Sequence, residues 1–175
     1  MSGVGICRVL AMAAMLAVAG GSANAASQQV ERGKYLVGIS GCGDCHTPGH
    51  FTGKPDMSRQ LGGSDVAFEI PGLGAFAGAN ITPDKATGIG DWSVQQIATA
   101  IRTGQRPDGR MLAPIMPYGD FARLTDADAT AIAAYLKSLP PVSHKVPGPF
   151  GPGETVTTLL FRILPPGQVV QGAPK

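Results

Sequence analysis

The pentapeptide Cys42-Gly43-Asp44-Cys45-His46 constrains this chain more than any other stretch. Two thiols three residues apart, with a histidine directly after them, are spaced to hold a c-type haem: each thiol adds to one vinyl group while the imidazole reaches the iron. A Cys-x-x-Cys pair also serves as a dithiol redox motif or as half of a zinc site. A zinc site needs two further ligands, and once the N-terminal leader bearing Cys7 is removed the chain is expected to offer no other cysteine and only His50 and His144 besides. A thioredoxin-like motif belongs in an alternating strand and helix pattern, which this sequence does not show. The rest of the chain then reads as a shell for one covalently bound haem.

At the N-terminus, Arg8 precedes an apolar run from Val9 to Val18, and small residues lead to Ala23-Asn24-Ala25, a signal-peptidase pattern. Residues 1–25 are therefore read as a signal peptide and the protein as periplasmic. The run is far short of the ~20 residues that cross a bilayer, so no transmembrane segment is expected after cleavage. Cleavage leaves 150 of the 175 residues, with Cys42 and Cys45 as the only cysteines, so no structural disulfide is available. Fourteen basic residues less Arg8 leaves 13 against 12 acidic ones. Such a balance argues against nucleic acid or an anionic membrane as partner. With 25 glycines, 15 prolines and 6% aromatic residues, the composition fits a few helices joined by long loops around a flat apolar ligand.

Ser27 is placed to cap a helix over about 28–39, with Val30, Gly33 and Val37 on one face. Gly33 there favours close approach of another helix over helix propensity. From Thr47 to Ala79 the glycines and prolines predict an irregular wrap with a short hairpin around Val66–Ile70. Asn80-Ile81-Thr82 matches a glycosylation acceptor, but Pro83 follows and the segment is read as a turn. Ser93 to Gln96 forms a capping box for a second helix with Ile97, Ala98 and Ile101 inward, stopped by Gly104. Thr125 caps the last helix, with Ala129, Ile132, Ala133 and Leu136 inward, and Pro140-Pro141 ends it. A haem-binding domain over 26–142 is followed by a proline- and glycine-rich tail over 143–175. Its apolar patch, Leu159 to Leu164, either packs back on the domain or docks a partner.

His46 is the proximal iron ligand that the motif supplies. Candidates for the opposite face are Met116, Met111, Met57, His50 and His144. Met116 stands apart because Pro114 and Pro117 bracket it in a loop just before the last helix. Trp92 has two readings: a core anchor, or a haem contact whose indole N–H donates to a propionate. The charges at Arg102, Arg106 and Arg110 read first as a solvated loop. The carbonyl that orients His46 has no signature in the pattern, Pro71 being one guess.

The attachment pentapeptide after a first helix, Asn80-Ile81-Thr82-Pro83-Asp84 leading to Thr87-Gly88-Ile89-Gly90-Asp91-Trp92-Ser93, then Met116-Pro117-Tyr118 and Ala133-Ala134-Tyr135-Leu136-Lys137-Ser138-Leu139-Pro140-Pro141 together resemble bacterial class I cytochromes c. More narrowly, they are similar to the single-haem modules in cytochrome subunits of periplasmic dehydrogenases. The resemblance covers about Glu31 to Val142. It implies an all-α class I cytochrome c fold, in which the helix bearing Gly33 crosses the helix bearing Tyr135. It also implies thioether bonds at Cys42 and Cys45 and axial ligation by His46 and Met116.

The function this reading supports is single-electron transfer by a monohaem c-type cytochrome and not enzymatic catalysis. Its redox partners would be a dehydrogenase or quinol-oxidising complex on one side and a terminal oxidase or reductase on the other. The alternative is a haem enzyme or ligand sensor with an open or labile sixth site.

Overall fold

A computed structural model of the chain describes residues 24–164 together with Gly167. Nearly all of the leader assigned to 1–25 lies outside the described residues, as does the end of the tail. Among the described residues no helix is long and apolar enough to cross a membrane.

Helix α1 runs through residues 24–39. It is already helical at residue 24, and Ser27 sits inside it, donating its hydroxyl to the Asn24 carbonyl at 2.8 Å instead of capping a start. One turn later the short helix α2 (Cys42–His46) carries the pentapeptide, entered through Gly41 at φ 64°. Helix α3 (Val94–Thr103) starts at the predicted reciprocal capping box. Ser93 Oγ accepts from the Gln96 amide at 3.1 Å, and the Ser93 amide donates to Gln96 Oε1 at 2.8 Å. It ends at Gly104, whose φ of 74° is the left-handed turn that glycine adopts without a Cβ penalty.

A short helix, α4 (Tyr118–Phe121), lies where only loop was expected. Helix α5 (Asp126–Ser138) is capped by Thr125, whose hydroxyl accepts from the Asp128 amide at 3.1 Å. Leu36 and Val37 of α1, Ile97 and Ala98 of α3, and Ala129, Ile132, Ala133 and Leu136 of α5 form one core with Leu61 and Ile89. The implied crossing of α1 and α5 is present. A Cβ at Gly33 would overlap the Ala131 carbonyl oxygen and lie 2.8 Å from Tyr135 Cβ. Beside the crossing, Arg32 Nε donates to Asp128 at 2.9 Å, which holds that carboxyl below its usual pKa.

The all-α expectation is corrected by a three-stranded sheet of order β2-β1-β3. Strand β1 (Val66–Ile70) pairs antiparallel with β2 (Gly74–Ala77) in the foreseen hairpin, and parallel with β3 (Leu159–Phe161) from the C-terminal segment. Apolar and β-branched residues at Val66, Phe68 and Ile70 suit one face of a pleat. Phe68 lies between Phe51, which it meets edge-to-face, and a tilted Phe161, with ring centroids 5.2 and 5.5 Å apart.

The patch at Leu159 thus joins the sheet as an added strand, while Leu159 and Phe161 stay half exposed and Ile163 faces solvent. Between α5 and β3 the chain is bonded at several points. His144 Nδ1 is 2.7 Å from the Gly62 carbonyl, the His144 amide donates to Thr87 Oγ1 at 3.1 Å, and Thr158 Oγ1 donates to the Asp65 carbonyl at 2.5 Å. Ending the chain after Ser143 is expected to destabilise the haem-loaded protein by at least about 3 kcal/mol, at roughly 1 kcal/mol for each of these three net hydrogen bonds, with the pairing of β3 lost besides. Thermal denaturation beside the full chain checks this, and an unchanged midpoint would show that the segment adds nothing to the domain.

Candidate functional site

Helix α2 holds three of the predicted site residues on one and a half turns. Cys42 is half-buried and packs against the helical core, Cys45 is exposed, and His46 is buried. The two cysteines are not joined to each other. Burial pushes the Cys42 thiol up to about 11, and partial desolvation together with the nearby Asp44 carboxylate raises that of Cys45. Dithiol oxidoreductases work with a depressed thiol pKa, so this environment is the opposite of theirs. A zinc site finds no support either, since no group of three or more His, Cys, Asp or Glu side chains converges among the described residues.

His46 is fixed by its surroundings. Its Nδ1 lies 2.6 Å from the Ala79 carbonyl oxygen, and burial pushes the imidazole pKa down despite that bond. A carbonyl oxygen can only accept, so Nδ1–H is the donor and Nε2 is the nitrogen left for a metal. Ala79 takes the part for which Pro71 was a guess, Pro71 being exposed in the turn between β1 and β2.

The fixing extends to the backbone around it. The Gly63 amide donates to the His46 carbonyl at 2.8 Å, and the Ser64 amide donates to the Gly78 carbonyl at 2.8 Å. Gly78 passes so close that a Cβ there would overlap the Cys45 carbonyl oxygen. Leu61, fully buried, sits at φ 61°, a left-handed conformation costing a non-glycine residue about 1 kcal/mol. Its amide is held by Thr47 Oγ1 at 3.1 Å.

Trp92, directly before the Ser93 cap, packs half-buried against the same core as Cys42. Arg106 reaches back over it, its guanidinium carbon 5.7 Å from the indole ring centroid. Asp108 lies 3.3 Å from one Arg106 nitrogen, but Arg106 Nε is buried with no partner. A buried guanidinium N–H without a partner calls for an anionic acceptor. Carboxylates such as haem propionates meet that need, and with the free Nε2 of His46 and two thiols beside it, the residues present fit a covalently held haem. Sequence reasoning left Arg106 among loop charges, because nothing in its spacing signals that the loop folds back over Trp92.

Met116 is half-buried in the turn before α4 and stands outside the helical core cluster. Its amide donates to the Ala113 carbonyl at 2.9 Å, and its carbonyl accepts from Tyr118 at 2.8 Å. Pro117 is the N-cap of α4, and the Tyr118 ring covers Gly104. The other candidates are otherwise engaged or face outward. Met111 is 56% exposed in a bridge with Gln105, Met57 is 61% exposed, and His144 is bonded to Gly62. His50 lies 3.5 Å from Asp44 and packs edge-on against Phe51.

A helical domain that displays Cys-x-x-Cys-His, with the histidine of that motif pinned through Nδ1, has the residues that a covalent haem protein needs. The chain belongs to the cytochrome c family, whose family model matches residues 30–140. Among curated relatives it is 40% identical to one subunit of the nicotinate dehydrogenase of Pseudomonas putida, over 67% of this chain and 9% of that protein. It is 36% identical to the cytochrome c subunit of the quinone alcohol dehydrogenase of Gluconobacter oxydans over 73% of this chain and 26% of that protein. A diheme cytochrome c-type protein of Cereibacter sphaeroides is 40% identical over 64% of this chain and 36% of its own. The chain thus spans about a third or less of the length of these relatives.

Proposed function

We propose that this chain is a periplasmic carrier of single electrons with one haem c. Cys42 and Cys45 would supply the thioether bonds, and His46 and Met116 the axial ligands. The observation that carries the reading is the 2.6 Å contact of His46 Nδ1 with the Ala79 carbonyl, which leaves Nε2 free on a helix that also presents both thiols. When bound, the haem supplies a one-electron couple. The chain holds its orientation through α2, offers Arg106 and Trp92 to its carboxylates, and packs the α1, α3 and α5 core against water. Prolines at 114 and 117 limit the freedom of the Met116 loop, which suits a ligand that must stay on the iron in both oxidation states.

A dehydrogenase is the favoured electron donor, because the relatives named above include subunits of two dehydrogenases. Docking to donor and acceptor would be transient, over an interface at the small end of the range for protein complexes.

An absorption spectrum and an intact mass of the exported protein test the reading. One haem per chain that resists acid extraction is the expected result, with His46→Ala abolishing the low-spin spectrum. A colourless protein, or a haem extracted by acidified solvent, would sink it.

A further inference from the structure

The carbonyl that orients His46 belongs to Ala79, and the next side chain, Asn80, is among the most fully bonded in the molecule. Asn80 is 2% exposed. Its Nδ2 donates to Thr87 Oγ1 at 2.9 Å and to the Val142 carbonyl at 2.7 Å. Its Oδ1 accepts from the Thr82 amide at 3.0 Å and the Thr82 hydroxyl at 2.7 Å. A side-chain amide offers two donors and two acceptor lone pairs, so all four positions are used. Each partner is tied further. The Thr82 hydroxyl also accepts from the Val142 amide at 3.0 Å, and Thr87 Oγ1 also accepts from the His144 amide at 3.1 Å. On the other side of Ala79 the Gly78 carbonyl is held by the Ser64 amide, and just beyond Asn80 the Ile81 amide donates to the Leu61 carbonyl at 3.0 Å. The glycosylation pattern at Asn80 is thus a buried turn whose amide nitrogen is already committed.

We infer that Asn80 is the positioning residue for His46: it bolts the Ala79 carbonyl to the chain segment following α5, and so sets the electron-donating strength of the proximal ligand. This rests on His46 ligating haem iron, as proposed above. A firm Nδ1–H···O=C bond makes an imidazole a stronger donor to its metal and favours the ferric state. Asn80 touches neither ring nor iron, and acts only through where Ala79 is held. The segment beyond Leu139 thereby becomes part of the redox machinery.

Asn80→Ala in the haem-loaded full-length protein tests this, with the reduction potential and the deuterium exchange of the His46 ring Nδ1 proton as readouts. Loosening the carbonyl is expected to shift the ferric–ferrous balance about three- to tenfold toward ferrous, tenfold being about 59 mV for one electron. Exchange of the ring proton should quicken at least tenfold. Thr87→Val, which removes one Asn80 acceptor together with the hydroxyl's bonds to the His144 amide and to Asp84 but leaves the Asn80 bonds to Thr82 and Val142, should move both readouts the same way by less, and it decides the matter if Asn80→Ala fails to load haem. Arg32→Ala serves as control: it weakens the α1–α5 contact, so stability falls while both readouts stay at the wild-type value. Wild-type potential and exchange in the decisive variant would overturn the role of Asn80 alone. A wild-type chain without covalent haem would overturn the reading beneath it, and this inference with it.

Discussion

Met116→Ala in the haem-loaded protein is expected to lose the weak long-wavelength band of ferric iron bound to sulfur and to gain carbon monoxide binding in the ferrous state. The thioether is a soft ligand that stabilises ferrous iron, so its removal also lowers the reduction potential. The fall should be on the order of a hundred millivolts or more, within the ~0.8 V span over which axial ligation sets haem potentials. The structural case is one of comparison. Met111 and Met57 face solvent, and the two spare histidines are occupied by Gly62 and by Asp44 and Phe51. Of the three methionines Met116 is the half-buried one, in a turn whose backbone is bonded on both sides and closed by Pro117. Persistence of the sulfur band in Met116→Ala would move the assignment to another methionine. A wild-type protein that binds carbon monoxide as readily as the variant would favour a sensor or enzyme with an open sixth site.

Local rules made the helices legible. Ser93 with Gln96, Gly104 and Thr125 act within one or two turns of where they stand, so their effects are written in neighbouring residues. The pentapeptide is equally local, and with it the placement of Cys42, Cys45 and His46 on one short helix. What stayed hidden depends on residues far apart in the chain. Ala79 is 33 positions from His46, and Asn80 is 62 from the Val142 carbonyl it holds. Neither partnership leaves a spacing to read. Strand β3 was half-legible: the apolar patch at Leu159 was plain, but parallel pairing with a strand some 90 residues earlier obeys no local period. Arg106 reads as a surface charge, since a guanidinium beside an indole and one in solvent look alike in a sequence. Ser27 shows the converse error, a good capping residue overridden because the helix already includes the residues before it.

Gly33→Ala is expected to destabilise the protein although alanine is the better helix former. At an unconstrained helical site this change stabilises by about 1 kcal/mol, because glycine gives up more backbone freedom on folding. In α1 both situations occur within six residues. A Cβ at Gly38 meets nothing within 4 Å, whereas one at Gly33 would overlap the Ala131 carbonyl oxygen of α5. That atom is backbone and cannot swing aside as a side chain tip would. The two helices must separate, which loosens the contacts of Leu36 and Val37 with Ile132 and Leu136 across the core. Overpacking of this kind costs about 3 kcal/mol, a sizeable share of the roughly 5–15 kcal/mol that holds a domain together. Most of the penalty is incurred at the first carbon, so Gly33→Val should cost only modestly more than Gly33→Ala. Gly38→Ala should raise the denaturation midpoint while Gly33→Ala lowers it and reduces the yield of haem-loaded protein. Helix propensity acts in the same direction at both sites and cannot produce that split, so two stabilising changes would mean that α1 and α5 do not meet at Gly33.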